Sequence, residues 1–162
     1  LIRTNLDMSS KPFMMLDKEL EFVEQYIRVE RYLLGDDFTF AIEVAEAVDT
    51  PAGRIPAMFL QILTENAIVH GLKGLGRHKE LRIHISRADR ATVIRVADNG
   101  PGFNARRALK KGTGLGIISQ TIAVTNEHNK LKMRFEISNR QDADGRVTGC
   151  EATLKVPDNI TF

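Results

Sequence analysis

The sequence of residues 55–72 is IPAMFLQILTENAIVHGL, a helical pattern that carries polar side chains on its apolar face. With Phe59 at zero on a helical wheel, Asn66 and His70 point in nearly the same direction, toward the expected core. Burying an amide and an imidazole without partners would cost about 1 to 3 kcal/mol each. Either backbone groups or a buried water satisfy them, or this face lines a cavity where the Asn66 oxygen would suit Mg²⁺. Glu65 lies at the edge of the face, where a carboxylate is either solvated or able to act as a base.

A second candidate site follows a predicted strand. Residues 92–97 are apolar and β-branched, and the sequence DNGPGF comes directly after them at 98–103. Asn-Gly is typical of a plain hairpin turn. Alternatively, Asp98 is a strand-end carboxylate that accepts a hydrogen bond from a ligand, while Gly100 and Gly102 let the backbone come close to it. An exocyclic amine would be a suitable donor.

A third stretch, GTGLG at residues 112–116, opens a predicted helix. Small residues at a helix start leave backbone N–H groups able to point at an anion, and the helix dipole adds to the attraction. The stretch is not a Walker A motif, because no Gly-Lys-Ser/Thr follows, and it is not a Rossmann motif, because the glycines follow a loop. The basic loop 104–111 before it is predicted to be mobile and to close over phosphates as a lid.

Hydrophobic periodicity predicts the remaining elements. Helices are expected over residues 16–34, about 57–71 and about 115–125, and strands over 38–44, 81–86, 92–97, 131–137 and 147–156. Residues 1–15 show no clear period, and Pro51, Gly53 and Pro56 indicate a loop. Because the last four strands form hairpin pairs, we expect an α/β (α+β) two-layer sandwich. A mixed, mostly antiparallel sheet of about five strands would be covered on one face by about three helices.

Composition limits the classes of protein that the chain can belong to. Its 162 residues suit one domain, and a hydrophobic fraction of 43% with 27% charged residues excludes a disordered chain. A net charge of +2 gives no support for nucleic-acid binding. The single cysteine, Cys150, fits a reducing compartment. No apolar run is long enough to span a membrane, and the first residue is not Met, so we expect a piece of a longer protein.

Taken together, the three stretches resemble the N, G1 and G2 boxes of the ATPase superfamily that includes gyrase, MutL and the histidine kinases. Within it, LIRTNL at 1–6 and LDKELEFVEQYIRVERYLLGDDF at 16–38 look like the segment before the ATP-binding domain in LytS-type sensor histidine kinases. IPAMFLQILTENAIVHGL is similar to the N box of that family, and DNGPGF to its G1 box. The resemblance covers nearly the whole chain and implies a Bergerat-type ATP-binding fold.

The resemblance implies that the chain binds ATP and Mg²⁺ and gives each motif residue a role. Asn66 would ligand the Mg²⁺ that bridges the phosphates, Glu65 would assist phosphoryl transfer, and His70 would border the phosphate end. At the other end, Asp98 would bond the adenine amine. The remaining implied cofactor-binding residues are Gly100 and Gly102 at the adenine pocket, and Thr113, Gly114, Leu115 and Gly116 at the phosphates.

The resemblance also predicts domains and partners. Residues 1–15 would be the end of an upstream dimerisation and phosphoacceptor region or a linker, and residues 16–162 the ATP-binding catalytic domain. The phosphoacceptor histidine would lie upstream, because none of the four histidines has the His-Phe-Leu-Phe-Asn context of the family. The γ-phosphoryl group would pass to that histidine and then to a response regulator receiver domain. The parent would be a homodimer anchored in the inner membrane, with this domain in the cytoplasm and no nucleic-acid partner.

Departures from the family pattern leave two alternatives open. Val69 stands where the family often has Lys, Ile117 and Thr121 where it has Asn and Arg, and Cys150 where it has Thr. A catalytically inactive nucleotide-sensing module is therefore one alternative. An anti-sigma-factor-type serine kinase is the other, since NAIVHG would suit its N box, although the helix at 16–34 and DNGPGF favour the sensor kinase.

Overall fold

The computed structural model describes residues 12–104 and 112–162. The helices are α1 (Leu16–Leu34), α2 (Phe59–Asn66), which continues as a π-helical segment (Ala67–Leu72), and α3 (Gly114–Glu127). The strands are β1 (Phe13–Met15), β2 (Phe38–Val44), β3 (Arg54–Pro56), β4 (Lys79–Ala88), β5 (Ala91–Asp98), β6 (Arg134–Gln141) and β7 (Val147–Pro157).

Five strands form the main sheet, in the order β2-β4-β5-β7-β6. β2 runs parallel to β4, whereas every other neighbouring pair is antiparallel. Asp89 and Arg90 join β4 to β5 with positive φ angles, as a tight hairpin turn requires. The predicted mixed, mostly antiparallel five-stranded sheet is confirmed.

The helices and the sheet share one apolar core. Alternate residues of β4 and β7 are buried, as the period of two requires, whereas nearly all of the central strand β5 is buried, and a stripe of α3 packs with them. Core side chains from these elements include Val23, Ile27, Ile83, Ile85, Ile94, Val96, Leu154, Leu115, Ile118 and Ile122. The α/β sandwich expected from the sequence is therefore confirmed. Within the described residues, none of the helices combines the length and the apolar character that crossing a membrane requires.

A small second sheet was not predicted. β1 pairs with β3 in antiparallel register, with Phe13 opposite Pro56 and Met15 opposite Arg54. The expectation of a loop at 51–56 and of no element before residue 16 was wrong here, because strands of three residues are too short to show a period of two. The domain boundary between residues 15 and 16 stays a prediction.

The second helix also differs from its prediction. A single helix was expected over 57–71, but α2 begins at Phe59 and the backbone widens to π-helical geometry after Asn66. At the end of this segment, the Lys73 N–H donates to the Ile68 carbonyl, five residues earlier, at 2.8 Å. The widened turn carries His70, and π-helical turns are frequent at functional sites.

Candidate functional site

The carboxylate of Asp98 lies at the end of β5, in the wall of a cavity. Its side chain is 4% exposed, and its Oδ1 accepts the Gly100 N–H at 2.8 Å. Burial raises the pKa of this carboxyl group, while the N–H groups of Gly100 and Cys150 and the charge of Arg140 lower it. Asp98 is thus a buried hydrogen-bond acceptor held in one orientation by the backbone.

Two glycines that belong to different elements allow a close backbone contact behind Asp98. A Cβ atom on Gly100 would lie 2.2 Å from the Gly71 carbonyl oxygen, and one on Gly71 would lie 2.7 Å from Cγ of Asp98. Only glycine fits at both positions, so the π-helical segment reaches the carboxylate directly. Sequence analysis proposed Gly100 as a site residue but took Gly71 only as the end of a helix, because the contact joins segments far apart in the chain.

Asn99 fixes the turn that follows Asp98. Its Oδ1 accepts the Glu80 N–H at 2.8 Å, and its Nδ2 donates to the His78 carbonyl at 2.8 Å. The side chain therefore continues the pairing of β5 with the start of β4 beyond the last backbone pair. The interpretation of Asn-Gly as a plain turn is therefore incomplete, because the Asn99 side chain also ties the turn to the start of β4.

The helical face singled out at 55–72 does line the cavity. Asn66 is half-buried and His70 is exposed, and both border the same space as Asp98. Of the two explanations left open for these polar side chains, the cavity is the one that the structure supports. Glu65 is exposed and is not among the lining residues; its Oε1 accepts a hydrogen bond from Gln61 Nε2 at 2.8 Å.

The start of α3 forms another wall. Thr113 occupies the N-cap position, and its hydroxyl oxygen accepts the Gly116 N–H at 3.1 Å. The Gly116 N–H is therefore used in capping the helix, whereas Thr113, Gly114 and Leu115 line the cavity. A Cβ atom on Gly114 would lie 2.8 Å from Cγ2 of Ile62, so this glycine lets α3 pack closely on α2.

The cavity has a volume of about 520 Å³, which is within the usual range for small-molecule sites. Its lining residues are Asn66, His70, Gly71, Asp98, Gly102, Phe103, Asn104, Thr113, Gly114, Leu115 and Cys150. Most of the predicted site residues therefore come together, while Glu65, Gly100 and Gly116 lie outside the lining. The predicted lid, apart from Asn104 at its start, falls in 105–111, outside the described residues.

Cys150 contributes to the cavity, although the sequence analysis did not include it among the site residues. It pairs in register with Asp98, and burial together with the nearby charges of Asp98 and Glu151 raises the pKa of its thiol to about 12. The thiol is therefore neutral at physiological pH, and this wall beside Asp98 carries no second negative charge.

The combination of this sandwich with a cavity between β5, α2 and α3 defines a class of fold. The catalytic domain of the histidine kinase ThkA superimposes with a TM-score of 0.62 at 13% identity, covering 90% of this chain and 94% of that one. Full-length ShkA in complex with AMPPNP gives a TM-score of 0.62 at 18% identity, covering 89% of this chain and 30% of that one. The fold is that of histidine kinase catalytic domains.

Sequence relatives show which histidine kinases the chain is similar to. The sensor histidine kinase YesM of Bacillus subtilis (strain 168) is 30% identical over 128 residues, which cover 77% of this chain and 22% of YesM. The sensor protein LytS of Staphylococcus saprophyticus is 31% identical over 110 residues, covering 68% of this chain and 18% of LytS. No protein-family model matches the chain. The chain is a homologue of LytS and other sensor histidine kinases, and it spans less than a quarter of the length of these two relatives.

Proposed function

We propose that this chain is the ATP-binding catalytic domain of a sensor histidine kinase. The observation that carries the proposal is the single cavity that joins the acceptor carboxylate of Asp98 to Asn66 and the start of α3, in a homologue of such kinases. The serine-kinase alternative is not carried further, because the relatives described above are the sensor histidine kinase YesM and the sensor protein LytS.

The chemistry of the cavity walls suits the two ends of ATP. The Asp98 carboxylate would accept the exocyclic amine of adenine, and Gly102 and Phe103 line the same cavity. At the wall formed by α3, the positive end of the helix dipole, next to Thr113 and Gly114, favours phosphates. ATP would therefore lie with its base at β5 and its phosphates toward α3.

Asn66 and His70 stand where the phosphate end would reach α2. An amide oxygen is a hard ligand suited to Mg²⁺, which takes its other ligands from water and phosphate oxygens. Bound Mg²⁺ would neutralise phosphate charge, and the protein would contribute mainly by positioning and electrostatics. We assign Glu65 the role of assisting transfer to a histidine that comes from outside the described residues.

The whole parent protein would act as a relay. In this proposal residues 1–15 connect to an upstream phosphoacceptor region, and residues 16–162 form the catalytic domain. The phosphoryl group would pass to the upstream histidine and then to a receiver domain of a response regulator. The parent would be a membrane-anchored homodimer with this domain in the cytoplasm.

A nucleotide-sensing module without turnover is the second candidate. It is favoured by Val69 and Ile117, which are 43% and 47% exposed and put apolar side chains on the surface of the π-helical segment and of α3. Both candidates require ATP to bind. Phosphohistidine formation by the full-length parent separates them.

The proposal predicts a Mg²⁺-dependent gain in ATP affinity that depends on Asn66. Isothermal titration with ATP, with and without Mg²⁺, should show tighter binding with the metal, and Asn66→Ala should remove that gain while leaving Mg²⁺-free binding within about twofold. Asn159→Ala, at an exposed position, is the matched control and should behave as the wild type. A folded wild-type chain that binds no nucleotide at millimolar concentration would contradict the proposed function.

Nucleotide affinity should also fall as the pH is lowered. The charged form of Asp98 accepts the adenine amine, and protonation replaces one acceptor site by a donor. An ordinary aspartate has a pKa of about 4. Since burial raises the pKa of Asp98, the loss of affinity should begin at a higher pH than that. Titrations of ADP at decreasing pH test this, and Asn66→Ala should keep the same profile because it leaves Asp98 in place. An affinity that stays constant down to about pH 4 would contradict the assignment of Asp98 as the acceptor for adenine.

A further inference from the structure

Helix α2, which carries Asn66 and Glu65, begins without a cap of its own. Met58 occupies the N-cap position with φ +70°, and no side chain at that position caps the helix. The next three residues are buried, with Phe59, Leu60 and Gln61 each no more than 2% exposed. The first N–H groups of a helix have no partner within the helix, so buried ones need another acceptor.

Glu19 of α1 supplies that acceptor. Its side chain is fully buried, and its Oε1 accepts the Met58 N–H. Burial raises the pKa of Glu19 to about 7, whereas the N–H groups of Met58, Gln61 and Leu60 lower it. The positive end of the α2 dipole also favours a carboxylate at this place. A residue 39 positions earlier in the chain thus caps the helix that bears the candidate metal ligand.

The hydrogen bonds continue from this cap toward the predicted site. Gln61 lies in the first turn of α2 next to Glu19, and its side chain donates to Glu65 at 2.8 Å. Glu65 is followed directly by Asn66. Gln61 thus connects the Glu19 cap with Glu65, one turn of helix further along.

A second contact joins α1 to the far end of the same segment. Lys73, directly after the π-helical segment, pairs with the buried carboxylate of Glu30 at 3.2 Å. Burial and the neighbouring carboxylates of Glu30 and Glu65 raise the pKa of Tyr26. Helix α1 thus contacts the segment from Met58 to Lys73 at both of its ends.

From these contacts, we infer that Glu19 is a positioning residue, which holds α2 so that Asn66 faces the phosphate end of the cavity. Asp98 is held by β5, by the Gly100 N–H and by pairing with β7, and it meets the segment that continues α2 at Gly71, at the end far from the Glu19 cap. Loss of the Glu19 cap should therefore affect the metal-dependent part of nucleotide binding and spare the adenine end. The inference rests on the proposed ATP-binding function.

The test compares two ligands in the same protein. At about pH 8, where a carboxyl group with a pKa of about 7 is mostly charged, Glu19→Gln removes the negative charge and replaces one acceptor oxygen by an NH₂ donor beside the N–H groups of α2, so it should weaken Mg²⁺-ATP binding about fivefold. Binding of Mg²⁺-free ADP should change by less than about twofold. Glu21→Gln is the matched control, because Glu21 lies on the same helix with its side chain 61% exposed.

Two further measurements keep the test decisive. Amide hydrogen exchange should be faster at residues 58–61 in Glu19→Gln, a readout that does not depend on nucleotide. If Glu19→Gln does not fold, Glu19→Asp, which keeps the charge but draws the carboxylate back from the Met58 N–H by one methylene, should give a smaller loss of Mg²⁺-ATP binding with the same selectivity. Equal losses for both ligands, or no loss, would overturn the positioning role, whereas a wild-type chain without nucleotide binding would instead overturn the proposed function.

Discussion

Replacing Asp98 with Asn should lower the affinity for ATP and ADP by at least about 100-fold. Oδ1 of Asp98 accepts the Gly100 N–H, and the Cys150 N–H also favours the charged carboxylate. An Asn side chain has one acceptor oxygen and one NH₂ donor. Whichever way the amide is turned, its NH₂ group faces either these backbone donors or the adenine amine, so one donor is left without an acceptor.

The variant should nevertheless stay folded, which makes the result interpretable. Because burial already favours the neutral form of the Asp98 carboxyl group, an uncharged side chain of the same shape costs the fold little. Thermal unfolding should show a melting temperature close to that of the wild type. Asp36→Asn, at an exposed position between α1 and β2, should bind nucleotide normally. If Asp98→Asn binds ATP within about threefold of the wild type, the adenine end lies elsewhere.

The parts of the fold that the sequence predicted are those with a repeating pattern. The α1 boundaries and those of β2 match the prediction, because Leu20, Val23 and Ile27, and then Phe38 and Phe40, keep one period over the element. The glycine turn after Asp98 and, to within a residue, the start of α3 were also predicted, since each depends on residues adjacent in sequence; the Thr113 cap was not. Local signals sufficed for these elements.

The features that were missed depend on contacts between distant segments. Gly71 is required because β5 passes beside it, and Glu19 is required because α2 begins beside α1. On the helical wheel, at about 100° per residue, Glu19 falls on the same side as Val23 and Ile27, whereas Glu21 falls on the opposite side, so the period of α1 already points to burial of Glu19. What the period does not give is the partner, because Met58 lies far along the chain.

Gly100→Ala, directly behind the cavity wall, should strongly destabilise the fold. The added Cβ atom would lie 2.2 Å from the Gly71 carbonyl oxygen and 2.7 Å from its Cα, so a backbone segment must move. Either the turn after β5 or the π-helical segment has to give way, at a cost of about 3 kcal/mol. For a chain of this size, that corresponds to a melting temperature lower by about 10 °C.

The consequence for the site follows from what the two segments carry. The π-helical segment bears His70 and continues directly from Asn66, whereas the turn holds Asp98 through the Gly100 N–H. Separating them moves the two ends of the cavity apart, so nucleotide binding should be lost even at temperatures where Gly100→Ala is folded. Gly76→Ala is the matched control, because Gly76 has open space around it and no positive φ, and it should leave both stability and binding unchanged. Normal binding by a folded Gly100→Ala chain would mean that the two walls act independently, and that the close contact of Gly71 with Gly100 serves packing alone.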